Sequence, residues 1–331
     1  MRILVTGARG FLGRGIAERL MERGEQVAVL VRSSDDALAR RGAEMVLTDL
    51  GDRDRVMAAC AGRDLVYHVA AKAGIWGPRE EYFRSNVEGA RNILDGCRKH
   101  RVPRLVYTSS PSVTFDGGDA VNANESLPYP SRFENDYCLT KATAEREILE
   151  AGRKREVATC AIRPHLIWGP GDPHLIPRVV AAARAGRLMQ VGDGRNLVDI
   201  TYVDNAVDAH LQAGDALSLD SPLNGQPYFI SQGEPVALWP WINGLLEKLG
   251  VAPIKKQISM AAARRIGAVL EGAYRLLGLK SEPRMTRFLA AQLGTSHYYD
   301  ISAARRDFGY APRVASDEGM DRLIAWLKAS R

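Results

Sequence analysis

Ile3-Leu4-Val5-Thr6-Gly7-Ala8-Arg9-Gly10-Phe11-Leu12-Gly13 stands near the start of the chain, and its reading decides the fold. An apolar strand leads into a helix through a turn with glycines at 7, 10 and 13. Glycine permits the tight turn and a close approach of backbone to a pyrophosphate. The helix start adds unpaired N–H groups and the positive end of its dipole. Gly7, Arg9, Gly10, Phe11, Leu12 and Gly13 are therefore expected to hold a dinucleotide. The competing reading of three glycines is a tight turn that binds nothing.

Outward from this turn, apolar runs alternate with helical stretches. Ile3–Val5, Val27–Val31, Glu44–Leu47, Leu65–Val69 and Leu105–Thr108 read as strands, and Val157–Arg163 as a sixth. Phe11–Arg23, Asp52–Ala61, Glu81–His100 and Asn135–Gly152 read as helices. Uninterrupted apolar strands between helices predict an α/β fold, a Rossmann-type doubly wound parallel sheet covered on both faces. After about residue 165 the pattern loosens. Residues 1–165, with 190–215 returning, are expected to form the nucleotide domain, and 166–331 mainly a smaller substrate-binding lobe.

With 46% hydrophobic and 25% charged residues, the chain has an ordinary globular composition. A net charge of +6 could suggest nucleic acid, but the arginines are scattered without like-charge blocks or interleaved aromatics, so none is expected. The 4 cysteines and 6 histidines show no metal or disulfide spacing, which predicts no metal and a reduced, cytoplasmic setting. An opening directly on a strand predicts no signal peptide, and no apolar run is long enough to span a membrane.

Cofactor choice is read at the end of the second strand, where an acid would take the ribose 2′-hydroxyl of NAD and an arginine the 2′-phosphate of NADP. Val31 is followed there by Arg32, Ser33 and Ser34, and Arg9 can reach the same phosphate. NADP(H) is therefore expected over NAD(H), the alternative being an Arg32 that is merely solvated.

Tyr137-Cys138-Leu139-Thr140-Lys141 supplies the chemistry. Tyr and Lys four apart share a helix face. A cation held there is expected to pull the phenol pKa down towards working pH, giving a proton donor and acceptor for a carbonyl or alcohol oxygen.

Together these residues resemble the extended short-chain dehydrogenase/reductase family over the whole chain. Asp49-Leu50 matches the family's adenine-contacting segment, and His68-Val69-Ala70-Ala71 the segment lining the cofactor. Asn86-Val87-Glu88-Gly89-Ala90-Arg91-Asn92 is similar to its Asn-x-x-Gly-x-x-Asn helix, and Tyr107-Thr108-Ser109-Ser110 to the strand end carrying its catalytic hydroxyl. The resemblance implies Ser110, Tyr137 and Lys141 as catalytic residues. It implies cofactor contacts from Asp49, Leu50, Ala70, Ala71, Lys72, Asn86, Thr108, Ser109, Pro164, Leu166 and Ile167, besides Tyr137, Lys141, the glycine turn, Arg32 and Ser33. Family members commonly dimerise through the helices at 84–100 and 137–152, so a homodimer is expected.

Two departures separate the chain from the sugar-nucleotide branches. Pro111-Ser112 follows Ser110 where dehydratases carry Asp-Glu, and Val198 precedes Asp199 where many sugar-nucleotide members carry Arg. Ala70–Gly77, Arg163–Asp172 and Gly192–Asp199 instead resemble the 3β-hydroxysteroid dehydrogenase-like branch, and bacterial 2-alkyl-3-oxoalkanoate reductases of long-chain olefin biosynthesis most of all. The function implied is reversible reduction of a ketone on a large hydrophobic substrate, a β-keto acid or a 3-ketosteroid. A sugar-nucleotide epimerase and a non-catalytic NADP-binding protein are the alternatives.

Trp76, Ser110, Ser112, His165 and Trp168 are the expected substrate contacts, with Lys72 or His165 holding a substrate carboxylate. The amphipathic stretch 258–279 can cover an apolar pocket, rest peripherally on a membrane surface, or pack as lobe core.

Overall fold

The computed structural model describes residues 1–329. Seven strands form the central sheet: β1 Arg2–Thr6, β2 Gln26–Val31, β3 Glu44–Leu47, β4 Leu65–His68, β5 Arg104–Thr108, β6 Ala158–Pro164 and β7 Gln226–Ile230. Their spatial order is β3-β2-β1-β4-β5-β6-β7, and every pairing is parallel. The strand order reverses direction between β1 and β4, the switch point at whose carboxyl ends such sheets bind nucleotides.

Side chains alternate faces along each strand, and both faces are buried. Ile3 and Val5 pack with Leu12, Ile16 and Leu20 of the helix Phe11–Glu22 and with Ala206 and Val207 of the helix Val203–Ala216. Leu4 faces the opposite way, onto Val56, Ile93, Leu94 and Ile148 from the helices Arg53–Ala59, Gly89–His100 and Asp136–Arg153. Each fully buried aliphatic side chain contributes about 1.5–3 kcal/mol, and truncating Ile93 to Ala would cost about 2–5 kcal/mol.

The six strands read from sequence are present within a residue or so of their expected ends. The seventh, β7, contains Pro227. A proline donates no ladder hydrogen bond, and β7 tolerates one because it is the outer strand, paired only with β6. The single helix expected over Glu81–His100 is instead three pieces. An α-turn Arg79–Tyr82 passes into a π-helical segment Phe83–Glu88, and the α-helix resumes at Gly89. The widened turn carries Asn86.

The lobe packs around Trp168, Tyr202, Trp239, Ile242 and Leu245. Its helix Met260–Leu276 buries Ala263, Gly267 and Glu271. A Cβ on Gly267 would lie 2.6 Å from the Thr286 carbonyl carbon, so glycine permits the contact. The same helix and the loop after it expose Val269, Leu276 and Leu277 at 71%, 88% and 68%. Among the described residues no helix is long and apolar enough to cross a membrane.

Candidate active site

Gly7 adopts φ +74°, and a Cβ there would sit 2.8 Å from the Ala70 nitrogen. A Cβ on Gly13 would stand 2.3 Å from the Gly7 carbonyl oxygen. The turn closes with the Gly10 N–H donating to Gly7 O at 2.8 Å. No side chain caps the helix that follows, and no acid stands in its first turn. Its first N–H groups are thus left for an anion, so the turn fits a dinucleotide pyrophosphate.

At the end of β2, Arg9 donates to Ser33 Oγ, and Arg32 is exposed beside them. The glycine turn and the strand end thus present the Arg9 guanidinium and the Ser33 hydroxyl together, with the exposed Arg32 next to Ser33 in sequence. Asp35 sits farther along, 4.0 Å from Arg9 Nε. It accepts from the Ala37 and Leu38 N–H groups and pairs with Arg14. The Leu38 N–H above all, with Arg14, holds its carboxyl below the usual range.

The Asn-x-x-Gly-x-x-Asn helix joins three parts of the chain. Asn86 accepts from the Lys72 N–H at 2.7 Å and donates to Lys72 O at 3.2 Å and Thr140 Oγ1 at 3.0 Å. Gly89 leaves room for Leu50, whose Cβ would lie 2.9 Å from an added Cβ. Asn92 then donates to Leu50 O at 2.8 Å. Asp49 Oδ1 takes the Gly51 N–H at 2.9 Å. On β1, Thr6 Oγ1 accepts from the Val69 and Ala70 N–H groups and faces His68 Nδ1 at 2.8 Å. Ala70 is half-buried against Gly7, and Ala71 is exposed.

Three candidate residues converge where β5 ends. Asn135 caps the helix Asp136–Arg153 by accepting the Cys138 N–H at 2.9 Å. Tyr137 and Lys141 follow on one face. Ser112 Oγ donates to Ser110 Oγ at 2.9 Å. Ser110 in turn acts on the Tyr137 hydroxyl, easing its ionisation. Lys141 is buried; its Nζ donates to Thr108 O at 2.5 Å and lies 4.1 Å from the Tyr107 ring centroid. Thr108 Oγ1 meets His210 Nε2 at 2.9 Å, while His210 Nδ1 meets Ala206 O at 2.7 Å. Since Nδ1 must donate to that carbonyl, Nε2 of the neutral ring accepts from Thr108. Ser109 is buried, its N–H donating to Ile162 O at 2.6 Å.

The expected downward pull of Lys141 on Tyr137 is corrected here. Burial pushes the Tyr137 phenol up to about 12, with Ser110 opposing. Burial also pulls the Lys141 ammonium down to about 7, with Glu145 opposing. Helix spacing sets a shared face. It does not encode desolvation, which is the leading cause of both shifts.

One turn beyond Lys141 lies a buried pair that the sequence reading missed. Arg163 Nε donates to Glu145 Oε2 at 3.0 Å, and Tyr129 OH to Glu145 Oε1 at 2.6 Å. A Lys141 to Glu145 spacing of one turn was the available signal.

The expected substrate contacts divide. His165 is buried, with Nε2 2.6 Å from His297 Nδ1 and its ring against Tyr299. Burial, then His297, keeps it well below its ordinary pKa, so it offers no cation. Trp168 is fully buried against Tyr202 and Trp241, in lobe core and not in a pocket wall. Strand β6 ends at Pro164 and the chain turns into the lobe, with Leu166 at φ +38°. A bulky residue in that left-handed region marks a strained corner. Ile167 follows, half-buried between the sheet and the lobe. Lys72 is tied to Glu81 at 2.6 Å.

Trp76 does face a cleft, of about 330 Å³, with Asn135, Asp136, Tyr274, Leu279 and Phe288. Its Nε1 donates to Leu279 O at 3.0 Å, and its ring meets Tyr274 edge-on.

The sequence profile of the 3-beta hydroxysteroid dehydrogenase/isomerase family matches residues 4–261, and the chain belongs to that family. It is an NAD(P)-dependent oxidoreductase of the extended short-chain dehydrogenase/reductase type. The chain is 48% identical over 330 residues to a 2-alkyl-3-oxoalkanoate reductase of Shewanella oneidensis, covering 98% of this chain and 85% of that one. A 2-alkyl-3-oxoalkanoate reductase of Stenotrophomonas maltophilia is 47% identical, covering 98% and 99%. Among solved structures, MoeE5 in complex with UDP-glucose and NAD superposes with a TM-score of 0.76 at 25% identity, over 100% of this chain and 99% of that one.

Proposed function

We propose that the protein reduces a ketone to a secondary alcohol with NADPH, on a large hydrophobic substrate of the 2-alkyl-3-oxoalkanoate type, by Ser110–Tyr137–Lys141 acid–base chemistry. The observation that carries this reading is the convergence of Ser110, Tyr137 and Lys141 at the end of β5, with an aromatic-walled cleft lined by Asn135 and Asp136, the residues just before Tyr137. Near half identity to two 2-alkyl-3-oxoalkanoate reductases supports the substrate class.

Bound NADPH supplies the hydride. The glycine turn takes its pyrophosphate, and Arg9, Arg32 and Ser33 take its 2′-phosphate. Tyr137 at about 12 is a neutral phenol at pH 7, which suits it to give a proton to the substrate oxygen as charge develops there. Ser112 donates to Ser110, and the Ser110 hydrogen that eases Tyr137 ionisation would turn to the substrate oxygen when the ketone binds. Lys141, anchored on Thr108 one helical turn from Tyr137, would stabilise phenolate once the proton has gone.

The sugar-nucleotide reading has the fold likeness to MoeE5 behind it. Against it, Val198 is fully buried in the lobe core and presents no cation to a diphosphate. The test is nicotinamide absorbance against 2-alkyl-3-keto acids, 3-ketosteroids and UDP-sugars, with NADH and NADPH in parallel. Turnover of the keto acids with NADPH supports the proposal; turnover of UDP-sugars alone contradicts it.

A further inference from the structure

Five charged side chains line the cleft beside Trp76, and their partners divide them sharply. All three carboxylates are neutralised: Glu134 lies 3.9 Å from Arg264, Asp136 3.2 Å from Arg79, and Glu271 2.8 Å from Arg287. The two cations, Arg275 and Lys280, pair with no carboxylate among the described residues. Arg275 instead lies over the Trp76 ring, 5.6 Å from its centroid. Trp76 is itself fixed by its hydrogen bond to Leu279 O and by Tyr274. One end of the cleft thus carries two cations without a salt-bridge partner among the described residues. Lys280 acts on Glu81 only at longer range, and Arg275 is held in place by an aromatic face.

We propose that Arg275 and Lys280 form a carboxylate-binding subsite. They take the acid head of the substrate while Trp76, Tyr274, Leu279 and Phe288 contact its alkyl chains. This rests on the ketoreductase reading and adds to it the groups that recognise the acid. The planar guanidinium matches a carboxylate with two parallel hydrogen bonds, and its seat on Trp76 reduces the freedom lost on binding. The two groups expected for this role are committed elsewhere: Lys72 to Glu81, and His165, uncharged, to His297. At about 330 Å³ the cleft is near the lower end for small-molecule pockets. Long chains therefore extend past it, where Leu276 and Leu277 lie exposed.

The test compares wild type with Arg275→Met, Lys280→Met and the double variant. All are assayed oxidising a 2-alkyl-3-hydroxy acid with NADP and oxidising its methyl ester. Both cations are exposed, and Met keeps much of their apolar stems, so folding is not at issue. The double variant is expected to lower the acid-to-ester ratio of kcat/KM about tenfold or more, through KM. An equal fall for acid and ester, or an unmoved ratio, overturns the subsite. Calorimetric binding of the acid is read in parallel. If wild type oxidises neither compound, the redox reading fails. The subsite is then judged by binding alone: about tenfold weaker binding of the acid by the double variant supports it, and equal binding or none overturns it.

Discussion

Lys141 Nζ donates to the carbonyl oxygen of Thr108 at 2.5 Å, which ties the helix carrying Tyr137 to the end of strand β5. The lysine is buried, and its ammonium is pulled down to about 7. Lys141→Met, an apolar replacement of similar length, should therefore change folding stability by less than about 1 kcal/mol. The same variant should lose turnover about 100-fold or more. Thermal melting and steady-state kinetics on one sample separate the two. A large stability loss with proportionate inactivation would make Lys141 structural.

Arg9 and Arg32 should determine cofactor choice. Removing both charges (Arg9→Gln with Arg32→Gln) is expected to raise KM for NADPH about tenfold or more while leaving that for NADH within about twofold. An equal rise for both cofactors would place the 2′-phosphate elsewhere.

The buried histidines predict an acid-labile fold. Burial holds His68 down to about 3, with Lys141 adding to the effect, and His210 down to about 4; both have an ordinary value of 6.5. His165 and His297 are lowered as well, also by burial. Groups whose folded pKa is depressed bind protons more readily in the unfolded chain. Their stabilising contribution is therefore complete above pH 6.5 and is lost as pH falls towards 4 and 3. Scanning calorimetry should find Tm falling steadily from pH 6.5 to 4, and His210→Gln should flatten the slope. A Tm constant across that range would contradict the account.

Asn86 should couple stability to cofactor binding. It is buried and bonds both Lys72 backbone groups and Thr140 Oγ1. Asn86→Ala leaves these unpaired and should cost about 1–3 kcal/mol, read from urea unfolding. NADPH affinity should fall as well, since the segment after β4 loses its anchor. Unaltered affinity would show that Asn86 only holds the fold.

What the sequence revealed was local in its physics. The Gly7-Gly10-Gly13 turn needs only neighbouring backbone, so its spacing sufficed. The Asn86-Gly89-Asn92 spacing places its partners by helical geometry even though the π segment at Phe83–Glu88 was invisible in apolar periodicity. Features set by tertiary packing escaped. Pro227 concealed β7, because only the assembled sheet makes it an edge. His165 follows a site strand in sequence yet is buried where that strand ends, and the chain then turns at Leu166 and carries Trp168 into the lobe core. Tyr137 and Lys141 lie one turn apart on the helix Asp136–Arg153, while the sign of the Tyr137 shift depended on desolvation that no spacing encodes. Arg275 and Lys280 reach the cleft from the far lobe, beyond any local pattern.

The central claim is that the Tyr137 hydroxyl transfers the proton at a ketone whose reduction consumes NADPH. Nicotinamide absorbance with a 2-alkyl-3-keto acid, recorded for wild type and Tyr137→Phe at matched cofactor saturation, tests it directly. The account predicts steady NADPH oxidation by wild type and a rate lowered at least about 100-fold in the variant, with NADPH binding by fluorescence retained. A Tyr137→Phe enzyme that oxidises NADPH within about tenfold of wild type would contradict it.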